Sequence, residues 1–279
     1  QGLPVNAYIQ RSSMSTNRLK CLGVIPVRLE SHRFPNKPLK IIHGKTLVER
    51  VWLQATQSKR IDTLIVATNN TEIADECERK GMRYVMTSSS HETGTDRVAE
   101  ACSLLEHRGL QFDLVANIQG DMPFVSPTVI DDVIQSLEGA TTDFGMATIG
   151  TPITASDEFE RLSVVKIALG ESERALYFSR APIPHWRNFS AGDAVTSASP
   201  LGYKHMGLYI FRRPTLSRIA GLSKAFTEQR EALEQLRALA HGISIKVHIV
   251  SRNAVEPCIE VDTPQDLIDA DEYARRHSV

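Results

Sequence analysis

Three cations and two distant aspartates are the residues of this chain whose types suggest shared chemistry. Arg28, Arg33 and Lys37 follow directly on the apolar run "CLGVIPV" (21–27). A loop leaving a strand offers main-chain N–H groups and the positive end of the next helix, so added cations there suit a chain of phosphates. The loop is neither GxxxxGK[ST] nor GxGxxG, because no glycine lies between Val24 and His43. Asp121 stands in "NIQGDMP" (117–123), at the carboxyl end of an apolar strand, and Asp262 in "EVDTPQDL" (260–267), just before a helix start. Carboxylate oxygens in such places hold Mg²⁺, which prefers hard donors and keeps its waters. Two of them on one metal would bridge a nucleotide phosphate and an acidic nucleophile. Each segment also has a plain reading: solvated cations, and aspartates that cap helices. The metal reading requires the fold to return Asp262 to Asp121.

Further candidates are less distinctive singly. In "GTDRVAEA" (94–101), Arg97 falls in the first turn of a helix, where the dipole favours anions. A cation placed against that field suggests a ligand carboxylate or phosphate. "YFSR" (177–180), His205 in "KHMGLY" and Glu234–Gln235 in "LEQLR" complete the set, and a histidine inside a strand can equally be structural.

To position these residues, short β-branched runs alternate with amphipathic ones. Strands are predicted at 21–27, 63–68, 83–87, 113–119 and 144–150, with helices at 46–58, 70–81, 94–107 and 126–137. This alternation argues for an α/β fold with a parallel sheet, whose ligands sit beyond the strands' carboxyl ends. After about residue 150 the runs 164–169, 175–186 and 203–213 read as strands without intervening helices, a mixed and partly antiparallel extension. A polar loop (187–202), a helix (227–241), a strand (244–250) and a helix from Thr263 follow. Residues 1–20 are set aside as a disordered or vector-derived N-terminus.

The 279 residues are 42% hydrophobic and 23% charged, and the formal net charge is -1. That balance gives no global basic field for nucleic acid, so anion binding must be local. No run approaches the roughly 18 apolar residues of a membrane helix, and no secretory signal is legible. Cys21, Cys77, Cys102 and Cys258 have no CxxC spacing and read as reduced core thiols.

In order along the chain, these segments resemble the 3-deoxy-manno-octulosonate (Kdo) cytidylyltransferase family, from Cys21 to about Glu272. The family's P-A-R-x-x-S-x-R-[LF]-P-x-K-P-L appears as Pro26-Val27-Arg28, Ser31, Arg33-Phe34-Pro35 and Lys37-Pro38-Leu39. Its remaining motifs appear as "TGTDR" (93–97), "QGDMP" (119–123), "ALYFSR" (175–180), "HMGLY" (205–209), "LEQLR" (233–237) and "VDTPQD" (261–266). The resemblance implies a Rossmann-like nucleotide-diphospho-sugar transferase fold, with a mostly parallel central sheet and a smaller mixed-sheet extension. It implies a nucleotide-binding part at 21–150 and a sugar-acid-binding and dimerisation part at 151–279, returning to the main sheet at 244–279. It further implies CTP plus a 2-keto-3-deoxy sugar acid giving the CMP-sugar and diphosphate with Mg²⁺, in a cytoplasmic homodimer serving lipopolysaccharide biosynthesis. Arg28 and Lys37 would hold the triphosphate and Arg33 would support that loop, with Thr93, Gly94 and Gln119 also at the nucleotide. Asp121 and Asp262 would ligate Mg²⁺, and Arg97, Arg180, His205, Tyr209, Glu234 and Gln235 would line the sugar-acid pocket.

Three positions depart from the family pattern: Val27 for Ala, Met122 for the frequent Glu, and Glu260 for Gly. Glu260 is either an outward-facing surface residue or a partner for the ammonium of 8-amino-3,8-dideoxy-manno-octulosonate, the family's alternative sugar acid. Rival readings are an NAD-dependent oxidoreductase, disfavoured by the missing GxGxxG, and a nucleotide-binding module without turnover, disfavoured by the two aspartates. A sibling enzyme acting on sialic acid fits the "YFSR", "HMGLY" and "LEQLR" segments less well.

Overall fold

The computed structural model describes residues 18–30, 34–188, 194–257 and 259–279. Arg33, Ser31, Cys258 and the leading residues 1–17 lie outside the described residues. Along the chain come β1 (Cys21–Pro26), β2 (Ile41–Ile42), β3 (Lys45–Thr46), α1 (Leu47–Ala55), β4 (Thr63–Thr68), α2 (Thr71–Lys80), β5 (Tyr84–Met86), α3 (Gly94–Glu106), β6 (Leu114–Asn117) and α4 (Pro127–Glu138). Then follow β7 (Phe144–Ile153), α5 (Ser156–Glu160), β8 (Lys166–Leu169), β9 (Ala175–Ser179), β10 (Gly202–Arg212) and α6 (Arg213–Ala220). The last are α7 (Phe226–Glu231), α8 (Gln235–Ala240), β11 (Ser244–Ile249), α9 (Arg252–Val255) and α10 (Pro264–His277).

Two compact units result, one through Asp131 together with Glu256–Val279, the other Asp132–Val255. They divide the chain differently from the parts drawn on the sequence. β7, assigned there to the first part, pairs with β10 and β11 in the second unit. β11 pairs with β7 as well, and the chain rejoins the first unit from Glu256.

In the first unit β6-β1-β4-β5 form a parallel sheet in that order. Their near-continuous burial matches a sheet covered on both faces. The chain leaves β1 toward β4 and β5, then returns to place β6 on β1's other side. β1 and β6 therefore flank the point where strand order reverses, which opens a crevice at their carboxyl ends.

The C-terminal segment rejoins this unit through apolar contact. Val261, Ala270 and Ala274 are fully buried with Ile42 and Leu47, and Phe34, Phe124, Ile259 and Leu267 pack around them. Burying one Val or Leu side chain contributes about 1.5–3 kcal/mol. The Ile42 shelf is a hairpin, β2–β3, whose two-residue strands are too short to carry a periodic signal in the sequence. His43 (φ 43) and Gly44 (φ 79) both take positive φ, as a two-residue turn matching strand twist requires. His43 N–H donates to Asp271 Oδ1 of α10 at 2.6 Å.

In the second unit β7 lies between β10, antiparallel, and β11, parallel. β8 pairs antiparallel with β10 and with β9. The predicted strand 175–186 stops at Ser179, ahead of Pro182 and Pro184. The predicted helix 227–241 is two helices, because Ala232 adopts the left-handed conformation (φ 53) and caps α7. α6 is a further helix beyond those predicted, and it opens with Pro214 in its first turn.

Candidate active site

The "FPNKP" segment is a turn, and its geometry serves Lys37. Asn36 sits in the left-handed region (φ 56), which asparagine tolerates, and a 3-10 turn opens at Lys37 with Pro38 next. Lys37 Nζ donates to Asp121 Oδ2 at 3.1 Å and to Asp262 Oδ1 at 3.0 Å. Burial acts to lower the pKa of this ammonium, but the two carboxylates outweigh it and hold Lys37 above the ordinary lysine value. Lys37 is therefore a cation at neutral pH, set between two acids.

Main-chain bonds fix the acids. Val261 N–H donates to the Asp121 carbonyl at 2.9 Å, tying the two aspartate segments side by side. Asp262 is not the cap of α10. Thr263 caps it, with Asp266 completing a reciprocal capping box and accepting from Asp262 N–H at 3.0 Å. Asp121 precedes α4, which begins only at Pro127. The plain capping readings thus give way to a convergence of side chains.

A cleft of about 410 Å³ lies over this pair, lined by Val27, Arg28, Lys37, Gln119, Asp121 and Asp262 among others. Gly120 is needed at its floor: a side chain there would meet Val27 and approach the Pro26 carbonyl to 3.3 Å. Val27, 5% exposed, fills against that glycine, and Met122 is buried at 4%. Both departures from the family pattern are packing residues here. Gln119 Nε2 donates to Asn117 Oδ1 at 3.1 Å.

A second, 80 Å³ cavity shares Pro26, Val27 and Arg28 and adds His91, Thr93, Gly94 and Arg97. Thr93 caps α3, its hydroxyl accepting from Asp96 N–H. Arg97, predicted among the sugar residues, lies in this first-unit group. It is 3% exposed and donates to Thr87 Oγ1. Burial, and next the charge of Arg28, lower its pKa, so two guanidinium groups face one region that calls for an anion. His91, bonded to Glu100 Oε2, escaped the sequence reading, since nothing in its spacing marks it.

The remaining predicted residues fall in the second unit. Arg180 Nε donates to the Glu231 carbonyl at 2.9 Å, and Glu231's carboxylate accepts from Arg180 N–H and from Ser179 Oγ at 2.6 Å. Lys166, fully buried, donates to the carbonyls of Arg161, Val164 and Arg180. A lysine inside the apolar run "VVKIAL" was its only signal. His205 bonds Thr148 Oγ1 at 3.0 Å, and burial pushes its imidazole down to about 3, so the ring is neutral. The Tyr209 ring lies 5.4 Å from it. Glu234 precedes α8 and Gln235 opens it; Gln235, 6% exposed, keeps its amide nitrogen without a partner among the described residues.

Cations set against paired hard carboxylates, at the switch point of a parallel sheet, suit the handling of a nucleoside triphosphate, and the class is that of the nucleotidyltransferases. Residues 22–245 match the family model described as "Cytidylyltransferase". The chain is 41% identical over 263 residues to a 3-deoxy-manno-octulosonate cytidylyltransferase of Bacteroides thetaiotaomicron, covering 93% of this chain and all of that one. It is 41% identical over 245 residues to an 8-amino-3,8-dideoxy-manno-octulosonate cytidylyltransferase of Shewanella sediminis, covering 88% and 94%. The solved structure of CMP:2-keto-3-deoxy-manno-octonic acid synthetase complexed with CTP superposes with a TM-score of 0.81 at 32% identity, covering 92% of this chain and 99% of that one. The chain belongs to the 3-deoxy-manno-octulosonate cytidylyltransferase family.

Proposed function

We propose that the protein transfers CMP from CTP to the anomeric hydroxyl of 3-deoxy-manno-octulosonate, releasing diphosphate, with Mg²⁺ as its metal. The observation that carries this reading is Lys37 joining Asp121 and Asp262 in one cleft. The donor set fits Mg²⁺: two carboxylates and room for phosphates and water, whereas no group of three or more His, Cys, Asp or Glu occurs among the described residues. Asp121 and Asp262 would hold the metal, which would polarise the attacked phosphate and lower the pKa of the sugar hydroxyl.

The chain's own residues supply the rest. Both reactants are anions, so the barrier is largely charge repulsion and alignment. Arg28 and Lys37 offset the charge that builds on the departing diphosphate, and Arg97 adds a buried cation beside Arg28. Gln235 brings an unsatisfied donor and His205 and Tyr209 ring surfaces suited to a polyol.

A second reading is the same reaction on the 8-amino sugar acid. The Shewanella relative's name supports it. Glu260, exposed and on the side of Asp262 because Val261 between them is buried, is the carboxylate that such a reading would test. Second-unit apolar side chains left exposed, Leu162, Leu176 and Phe226, support a homodimer formed through that unit. No helix among the described residues is long and apolar enough to cross a membrane.

The test is diphosphate release from CTP across a panel of 2-keto-3-deoxy acids, the 8-amino analogue included, with and without Mg²⁺. Turnover with the octulosonates that is lost on chelation supports the proposal. Release with none of the panel would overturn it.

A further inference from the structure

β10 carries a bulge between Met206 and Tyr209: Met206 pairs with Ile149, yet Tyr209 pairs with the adjacent Thr148. In a regular strand the side chains of residues four apart stand about 13 Å apart. Here the rings of His205 and Tyr209 are 5.4 Å apart, because the bulge bends the strand and re-aims its side chains.

The bulge also turns two carbonyls toward one hydroxyl. Thr148 is fully buried, and its Oγ1 lies 2.8 Å from the Leu208 carbonyl, 3.1 Å from the Met206 carbonyl and 3.0 Å from His205 Nε2. A hydroxyl has one proton, and carbonyls can only accept. Were that proton given to the ring nitrogen, the oxygen's lone pairs would face two carbonyl oxygens at hydrogen-bond distance. The proton therefore goes to a carbonyl, and the imidazole must be the donor to Oγ1.

We infer that Thr148 is a positioning residue: it fixes His205 as the Nε2–H tautomer and leaves Nδ1 as a hydrogen-bond acceptor for a ligand hydroxyl. Among the described residues Nδ1 has no hydrogen-bond partner. Its ring is edge-on to Phe178 at 5.1 Å, an apolar wall consistent with the neutral form. His205 thus reads a neutral donor and does not pair with the sugar's carboxylate. That the donor is a sugar hydroxyl rests on the proposed function; the tautomer does not.

The experiment is ¹⁵N NMR of the full-length protein labelled at histidine, at pH 7, with His205→Asn to assign the ring. The wild type is expected to show a protonated Nε2 and a bare Nδ1. Thr148→Val is expected to lose that pattern and to raise KM for the sugar acid about tenfold with KM for CTP unchanged, the loss of one buried hydrogen bond. Thr148→Ser is expected to keep both. A wild-type ring protonated at Nδ1, or at both nitrogens, would overturn the inference, as would Thr148→Ser losing the pattern. Should Thr148→Val fail to fold, the wild-type and Thr148→Ser spectra still decide. Should no sugar acid be turned over, the spectra judge the tautomer independently of that failure.

Discussion

In the first unit, Lys37 joins two carboxylates 84 and 225 residues away in the chain, at a partly solvated cleft. In the second, Thr148 and His205 meet across neighbouring strands, and every group in the contact is neutral. The first arrangement is assembled by long-range return of the chain, the second by a local defect in strand pairing. The difference corresponds to what each can recognise. Opposed charges suit phosphates and a metal, whose energies are electrostatic, while a neutral donor–acceptor set suits hydroxyls, which it can select by direction.

The largest expected break falls on the charged side. Asp121→Asn or Asp262→Asn is expected to lower kcat/KM about 10³-fold, the scale of removing a preorganised charge from a transition state, read by diphosphate release. Lys37→Met is expected to cost about 10²-fold in kcat. Its folding stability should change by less than about 1 kcal/mol in a urea titration, because the side chains stay 17%, 28% and 40% exposed and solvent screens the pairs. A larger loss of stability would mean the trio is there to hold the fold.

The two regions should also answer pH in opposite directions. His205 is depressed from 6.5 to about 3, so below pH 6.5 the unfolded chain gains a proton that the folded ring refuses. Stability then falls with falling pH, by up to about 1.4 kcal/mol per unit from this one group, until about pH 3. Lys37 is raised, so its contribution is complete at neutral pH and is lost only as pH climbs through a value above 10.5. Urea titrations at pH 4 to 7 check this, since His205→Gln should flatten the acid slope and Lys37→Met should leave it alone. The smallest effect is expected at Glu260. As an exposed residue, its change to Gly should shift the ratio of kcat/KM for the two octulosonates by less than about threefold. A tenfold shift would instead assign it to ammonium recognition.

The parallel sheet was legible because alternation of buried strands and capped helices is written locally. Ser126–Pro127 and Thr263–Pro264 marked helix starts that the structure retains as α4 and α10. The hairpin at 41–46 was not legible from strand length, since two-residue strands have no periodicity. Its His43–Gly44 turn was the available signal. The break at Ala232 escaped because alanine is a strong helix former and only its surroundings impose φ 53. Arg180 and His205 could be named from the sequence, but not their partners Glu231 and Thr148, which belong to other elements.

By itself the sequence determined which side chains carry charge, where strands end and helices begin, and the ordered motifs that mark the family. Tertiary structure decided that Asp121 and Asp262 share one ammonium, that Arg97 lies beside Arg28, and which nitrogen of His205 holds a proton. The physical reason is range. Caps and periodicity act over a few residues, whereas burial of Val261 and Ala270 against the Ile42 hairpin, and a bulge that sets Thr148 under His205, depend on segments that meet only once the chain is folded.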